Sequence, residues 1–291
     1  MMKRWLKAFF KVYTLPSKIV TFFICILFLL QPICVKCDEV PNDEIIYMDE
    51  AWEYANMTAI HNDPAILYTA KANRKNIVVA LDAGHGTTGA AKIKLYCHPD
   101  GSRKTTSGST DAGITMVNAQ SVGMEFKNGK TEREVALKVA QLLKEKLLNN
   151  GYDVLMLRTK DKVELDLLAR TIIANNRADC HISLHYDGDE FTYNKGAYYI
   201  SVPKSIKNMP PVDRMWQLDD YLGQCLIDGL KTNNVKIFSK GSLAVDLMQT
   251  SYSTIPSVDM ELGNEWSNTD YNSLNQIADG LLIGTNRFFN Y

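Results

Sequence analysis

Two hydrophobic periodicities take turns along this chain. Short apolar runs that stop abruptly at small or polar residues lie at 76–82, Asp153–Leu157, Cys180–Leu184, Gly196–Val202, Ser242–Met248 and Ser257–Glu261. Runs of that length and composition predict strands. Between them, apolar residues recur at helical spacing over Thr131–Asn150, Glu164–Asn176, Trp216–Lys231 and Asp270–Phe289. Thr131 is placed to cap the first of these helices and Gly151 to end it, by the usual residue preferences of helix termini. Strands alternating with helices predict an α/β single domain, a mostly parallel twisted sheet of about six strands with helices on both faces. Residues 87–130 are rich in Gly, Ser and Thr and show no period. They read as a long loop, and loops of that length are commonly functional.

The amino-terminal part follows another pattern. Lys3, Arg4, Lys7, Lys11 and Lys18 precede an apolar run from Ile19 to Leu30 that continues with interruptions to Val35. A basic start followed by such a run predicts a signal peptide or N-terminal membrane anchor over 1–37, with 19–35 as the anchoring stretch. The protein is therefore expected to be exported, to the extracellular side or the outer face of the cytoplasmic membrane. Residues 38–75 begin acidic, carry one short helical pattern at 48–59 and read as a linker or prosegment. The remainder, 76–291, is the expected catalytic domain.

Charge narrows the function. Six of the 32 basic residues lie in 1–37 and none of the 33 acidic ones does, so the rest of the chain carries net charge −7. Such a body has no general affinity for nucleic acid. Cys97, Cys180 and Cys225 remain beyond the leader. Three cysteines cannot complete a disulfide framework, so stability must come from the core.

The chemistry concentrates where strands end. His85 follows the first strand, between Gly84 and Gly86. His185 follows the third strand, and Glu261 ends the last one. Glu132 opens the first long helix. In a right-handed β–α–β unit the amino end of that helix lies at the same sheet edge as the strand's carboxyl end. Two histidines and two glutamates distant in sequence thus meet at one edge, where open α/β sheets bind ligands. Two imidazoles and a carboxylate make a hydrolytic zinc set, with a second carboxylate as base. Glu134 competes with Glu132 for the ligand role, but lies about 200° around the helix, so only one faces the site. His181 reads as a core histidine; His61 and His98 are given no role. Gly84 to Gly89 also matches G-x-G-x-x-G, but no helix opens there, as a dinucleotide site requires.

Together these pieces resemble the zinc-dependent N-acetylmuramoyl-L-alanine amidases of the amidase-3 type. The matching stretches are Leu-Asp-Ala-Gly-His-Gly at 81–86, Glu132-Arg-Glu-Val-Ala-Leu-Lys-Val-Ala, Ser-Leu-His-Tyr around His185, Lys-Gly-Ala-Tyr-Tyr at 195–199 and Met-Glu-Leu-Gly around Glu261. Tyr186, Asp187 and Asn264 depart from the family pattern. The resemblance implies one Zn2+ held by His85, Glu132 and His185, and Glu261 as catalytic base. It selects Glu132 over Glu134, because the family's glutamate ligand precedes a Val/Ala/Leu helix. It also implies peptidoglycan as substrate, cut between N-acetylmuramic acid and L-alanine. A zinc peptidase cutting within the stem peptide, or an inactive wall-binding module, are the rival functions.

Overall fold

The protein is described by a computed structural model covering residues 43–291. The leader, and the anchor expected at 19–35, lie outside those residues. Among the described residues, no helix is long and apolar enough to cross a membrane.

Among the described residues, ten strands and five α-helices follow one another. In chain order they are β1 (Glu44–Ile46), β2 (Ala65–Tyr68), β3 (Val78–Ala83), β4 (Lys94–Tyr96), β5 (Met116–Asn118), α1 (Glu132–Asn149), β6 (Asp153–Met156), α2 (Leu167–Arg177), β7 (Cys180–Asp187), β8 (Ala197–Ser201), α3 (Val212–Thr232), β9 (Ile237–Ala244), α4 (Met248–Tyr252), β10 (Ser257–Asn264) and α5 (Tyr271–Phe288). Eight strands form the main sheet, in the order β1-β2-β6-β3-β7-β10-β8-β9, and β4 pairs with β5 separately. The centre, β6-β3-β7-β10, is parallel. Antiparallel pairs join β1 to β2, β2 to β6 and β8 to β10.

The sheet is mixed through β1, β2 and the antiparallel β8–β10 pair, and it is larger than the six strands expected for a local reason. The segment 38–75, expected as a linker, supplies β1 and β2. These strands are short and their apolar signal is diluted by acidic neighbours. Ile46 and Ala65 are buried there, in a cluster with Ala80, Leu155 and Leu157. The helical pattern at 48–59 yields only a 3-10 turn, Ala55–Met57. The strand expected at Ser242–Met248 runs instead over Ile237–Ala244, because Met248 already opens α4. The insertion 87–130 is ordered in part by the β4–β5 pair.

Helix starts follow their caps. The Thr131 hydroxyl and the Glu134 side chain form a capping box on α1, and that ties Glu134 to the helix end. Asp166 accepts from the Ala169 amide and sets the start of α2; Asp270 does the same for α5 through Ser273.

The strands β7 and β10 alternate, and that positions the site. Cys180, Ile182, Leu184 and Tyr186 of β7, with Val258, Met260 and Leu262 of β10, join the main apolar core beneath α1, α3 and α5. The intervening residues are polar: His181, Ser183 and His185 on β7, and Ser257, Asp259 and Glu261 on β10. The register puts His181 beside Ser257, Ser183 beside Asp259 and His185 beside Glu261. One face of the sheet centre is therefore a polar ladder climbing to its carboxyl edge.

Candidate metal centre

His85, Glu132 and His185 meet at the top of that ladder, with one ligating atom from each lying within 4.8 Å of the others. Glu132 Oε1 is 2.7 Å from His85 Nε2 and 3.0 Å from His185 Nδ1, and the two ring nitrogens are 3.1 Å apart. An ion bound tetrahedrally at about 2.0–2.1 Å spaces its ligands by roughly 3.3 Å. Two imidazole nitrogens and a carboxylate oxygen at this separation fit a divalent metal ion.

Each candidate ligand is held from behind. His85 adopts a left-handed backbone, φ 63°, and Arg170 Nη2 donates to its carbonyl at 2.9 Å. Its Nδ1–H donates to the Ser121 carbonyl at 3.0 Å. That bond fixes the tautomer, leaving the Nε2 lone pair for the centre. Glu132 is the first residue of α1, where its charge also meets the helix dipole. Its Oε2 accepts from the Met124 amide at 2.9 Å and its Oε1 from the Tyr186 amide at 3.0 Å. Gly84 packs where a side chain would overlap the His185 ring.

Charge is unevenly shared. Burial opposes ionisation of Glu132, but hydrogen bonds from His185 and His85 outweigh it and hold the carboxyl well below its ordinary range. Burial pulls the His185 imidazolium down, yet Asp259, Glu132 and Glu261 together push it up to about 10. A metal ion must displace that proton to bind.

Glu261 lines the same cavity as His85, Glu132 and His185. Its Oε2 is buried without a hydrogen-bond partner. Burial raises its carboxyl well above the ordinary range, and the neighbouring Asp259 adds to the rise. Asp259 was not singled out by sequence. It stands two residues before Glu261 on an alternating strand, so the period of two could have placed it on the same face. Its Oδ1 is likewise unpartnered, and burial raises it too.

The remaining histidines and Asp187 have plain placements. His181 is fully buried, with Nε2 at 3.7 Å from Asp82, which Arg170 pairs at 2.8 Å. His61 pairs with Glu50, and His98 is buried against Asp246. Asp187, just past His185, accepts from Lys195 and from the Tyr198 hydroxyl.

A family model described as Amidase_3, N-acetylmuramoyl-L-alanine amidase, matches residues 79–280. No curated protein matches the chain. The fold is similar to the crystal structure of the N-acetylmuramyl-L-alanine amidase Ami1 from Mycobacterium smegmatis, with TM-score 0.61 and 19% identity over 74% of this chain and 97% of that one. It is also similar to an N-acetylmuramoyl-L-alanine amidase from Clostridium difficile 630, with TM-score 0.52 and 19% identity over 74% and 97% of the two chains. AmiC2 of Nostoc punctiforme, an N-acetylmuramoyl-L-alanine amidase, gives TM-score 0.52 and 16% identity over 75% and 99%. At these identities the likeness is one of fold.

Proposed function

Since the chain belongs to the Amidase_3 family of N-acetylmuramoyl-L-alanine amidases, we propose that it hydrolyses peptidoglycan at the amide joining N-acetylmuramic acid to L-alanine, using one Zn2+ held by His85, Glu132 and His185. The observation that carries this reading is the convergence of three ligating atoms within 4.8 Å beside a buried, unpartnered carboxylate. When bound there, zinc supplies Lewis acidity to water and to the scissile carbonyl.

The chain's own residues supply the rest. The Ser121 carbonyl holds His85 in the tautomer that presents Nε2. The Met124 and Tyr186 amides fix both oxygens of Glu132. Glu261 is the general base: it takes a proton from the attacking water and returns it to the departing amine of L-alanine. A carboxyl raised above its ordinary range is suited to both halves of that transfer near neutral pH. Burial is the main source of that rise, and the neighbouring Asp259 carboxyl adds to it.

The activity is assigned to 76–291, with β1 and β2 completing its sheet. Residues 1–37 export the chain as a signal peptide or hold it at the membrane through 19–35, so its partner is the wall and not nucleic acid.

Digestion of purified sacculi, read by mass spectrometry, tests the proposal. Glycan bearing a free lactyl carboxylate and stem peptides with a free L-alanine amine are expected. A chelator should abolish release, and added zinc should restore it. A cut between two amino acids of the stem, or full activity in chelator, would overturn the reading.

A further inference from the structure

The cavity above the metal-ligating residues extends beneath the insertion, to a volume of about 540 Å³. Lys104 lines it, as do Glu261, His85 and His185. Lys104 is only 5% exposed. Its backbone is fixed across a turn: its amide donates to the Ile114 carbonyl, and its carbonyl accepts from the Gly113 amide. Among the described residues its Nζ has one hydrogen-bond partner, the Thr106 carbonyl at 2.7 Å. An ammonium carries three donors, so two remain for a ligand.

The nearby carboxylate is already engaged. Asp246 Oδ1 pairs with His98 Nε2 at 2.8 Å. Its Oδ2 accepts from the Thr105 amide at 2.7 Å and the Thr105 hydroxyl at 2.9 Å. That buried pair pins residues 98–105 to the β9–α4 connection and leaves Lys104 without a close counter-charge. Burial accordingly pulls the Lys104 ammonium below its usual value, against the weaker pull of Asp246. A buried cation lacking a counter-charge is costly, and its place in a chamber shared with the candidate metal centre points to a ligand's anionic group as that counter-charge.

The substrate restricts what that partner is. In an uncut muramoyl peptide the lactyl carboxyl is tied up in the amide, and the amino sugars are uncharged. The carboxylates all lie on the peptide. Resting on the amidase reading above, we infer that Lys104 determines specificity by binding a free carboxylate of the stem peptide. The peptide then occupies the chamber under residues 97–123.

The test uses the full chain loaded with zinc and two substrates: an N-acetylmuramoyl tripeptide with its peptide carboxyls free, and the same compound with them amidated. The wild type should favour the acid by about ten- to hundredfold in kcat/KM, mostly through KM, as expected for losing a charged hydrogen bond. In Lys104→Met, which keeps the apolar stem, that ratio should fall to within about threefold of unity, a comparison internal to each protein and so insensitive to a loss of folded material. Calorimetry with the released tripeptide, acid against amide, reads the same preference without turnover. Equal handling of acid and amide by the wild type overturns the inference, as does an undiminished ratio in the variant. A chain that binds the acid tripeptide selectively but cuts neither substrate keeps the Lys104 site and overturns the amidase reading.

Discussion

Glu261, beside the candidate metal centre, and Asp219, on α3, are two buried carboxyls with different consequences. Glu261→Gln keeps the shape and removes the proton acceptor. Zinc content measured by elemental analysis should stay near one per chain, while muropeptide hydrolysis should fall by about 10²–10⁴-fold. Activity at the parent rate would remove Glu261 from the mechanism. Asp219, on α3, accepts from the Ser257 amide at 2.8 Å, yet its Oδ2 is buried with no partner. Burial raises its carboxyl well above the ordinary range. The folded state therefore favours the protonated form. That contribution is complete below the ordinary carboxylate pKa and drains away as pH rises through the raised value. Asp219→Asn keeps an acceptor for Ser257 without the charge. It should raise the unfolding temperature at pH 7 and give no gain near pH 3. Thermal unfolding at the two pH values decides it; equal shifts at both would mean the charge is not the cause.

At the scale of elements, Gly84 and Gly123 let strand and loop close on the candidate metal centre. Gly123 has φ +82°, and a Cβ there would stand 2.8 Å from Glu132 Oε2 and from His85 Cδ2. Gly123→Ala should thus weaken zinc binding by tenfold or more, at about 1.4 kcal/mol per decade, while every ligand is still present. Competition with a chromogenic chelator reads the affinity; an unchanged constant would show that the loop yields freely. The polar ladder is legible because alternation on a strand is local: His181, Ser183 and His185, like Ser257, Asp259 and Glu261, follow a period of two in the bare sequence. Capping is local as well, and Thr131 could be read directly, whereas α2 starts after its Asp166 cap and not at Glu164 as the spacing alone predicts. The 97–123 roof has no such period. Its order comes from contacts with distant residues, such as His98 with Asp246.

For the whole molecule, the edge of the sheet matters most. Asp153 of β6 accepts from the Ala70 amide and from Arg74, and β2 pairs along β6. Deleting residues 43–70 would strip the β6 edge of its partner and expose Ala80 and Leu155, now covered with Ile46 and Ala65. An uncovered apolar edge is an aggregation site. The truncated protein should therefore lose several kcal/mol of stability, as large buried-surface losses do, and should be recovered mainly as aggregate by size-exclusion chromatography. A soluble, fully active truncation would make the segment a dispensable linker after all.

Local patterns in the chain determined the helix caps, the strand alternation, the α/β class and the four polar residues at strand and helix ends. Each depends on residues within a few positions of one another, where backbone period and hydrogen-bonding chemistry leave few options. Tertiary structure alone decided that β1 and β2 join the sheet, that Asp259 stands in register beside Ser183, and that Lys104 is buried without a counter-charge. Those outcomes depend on pairing and desolvation between segments far apart in sequence, where many arrangements share the same local pattern and only the packed whole selects one.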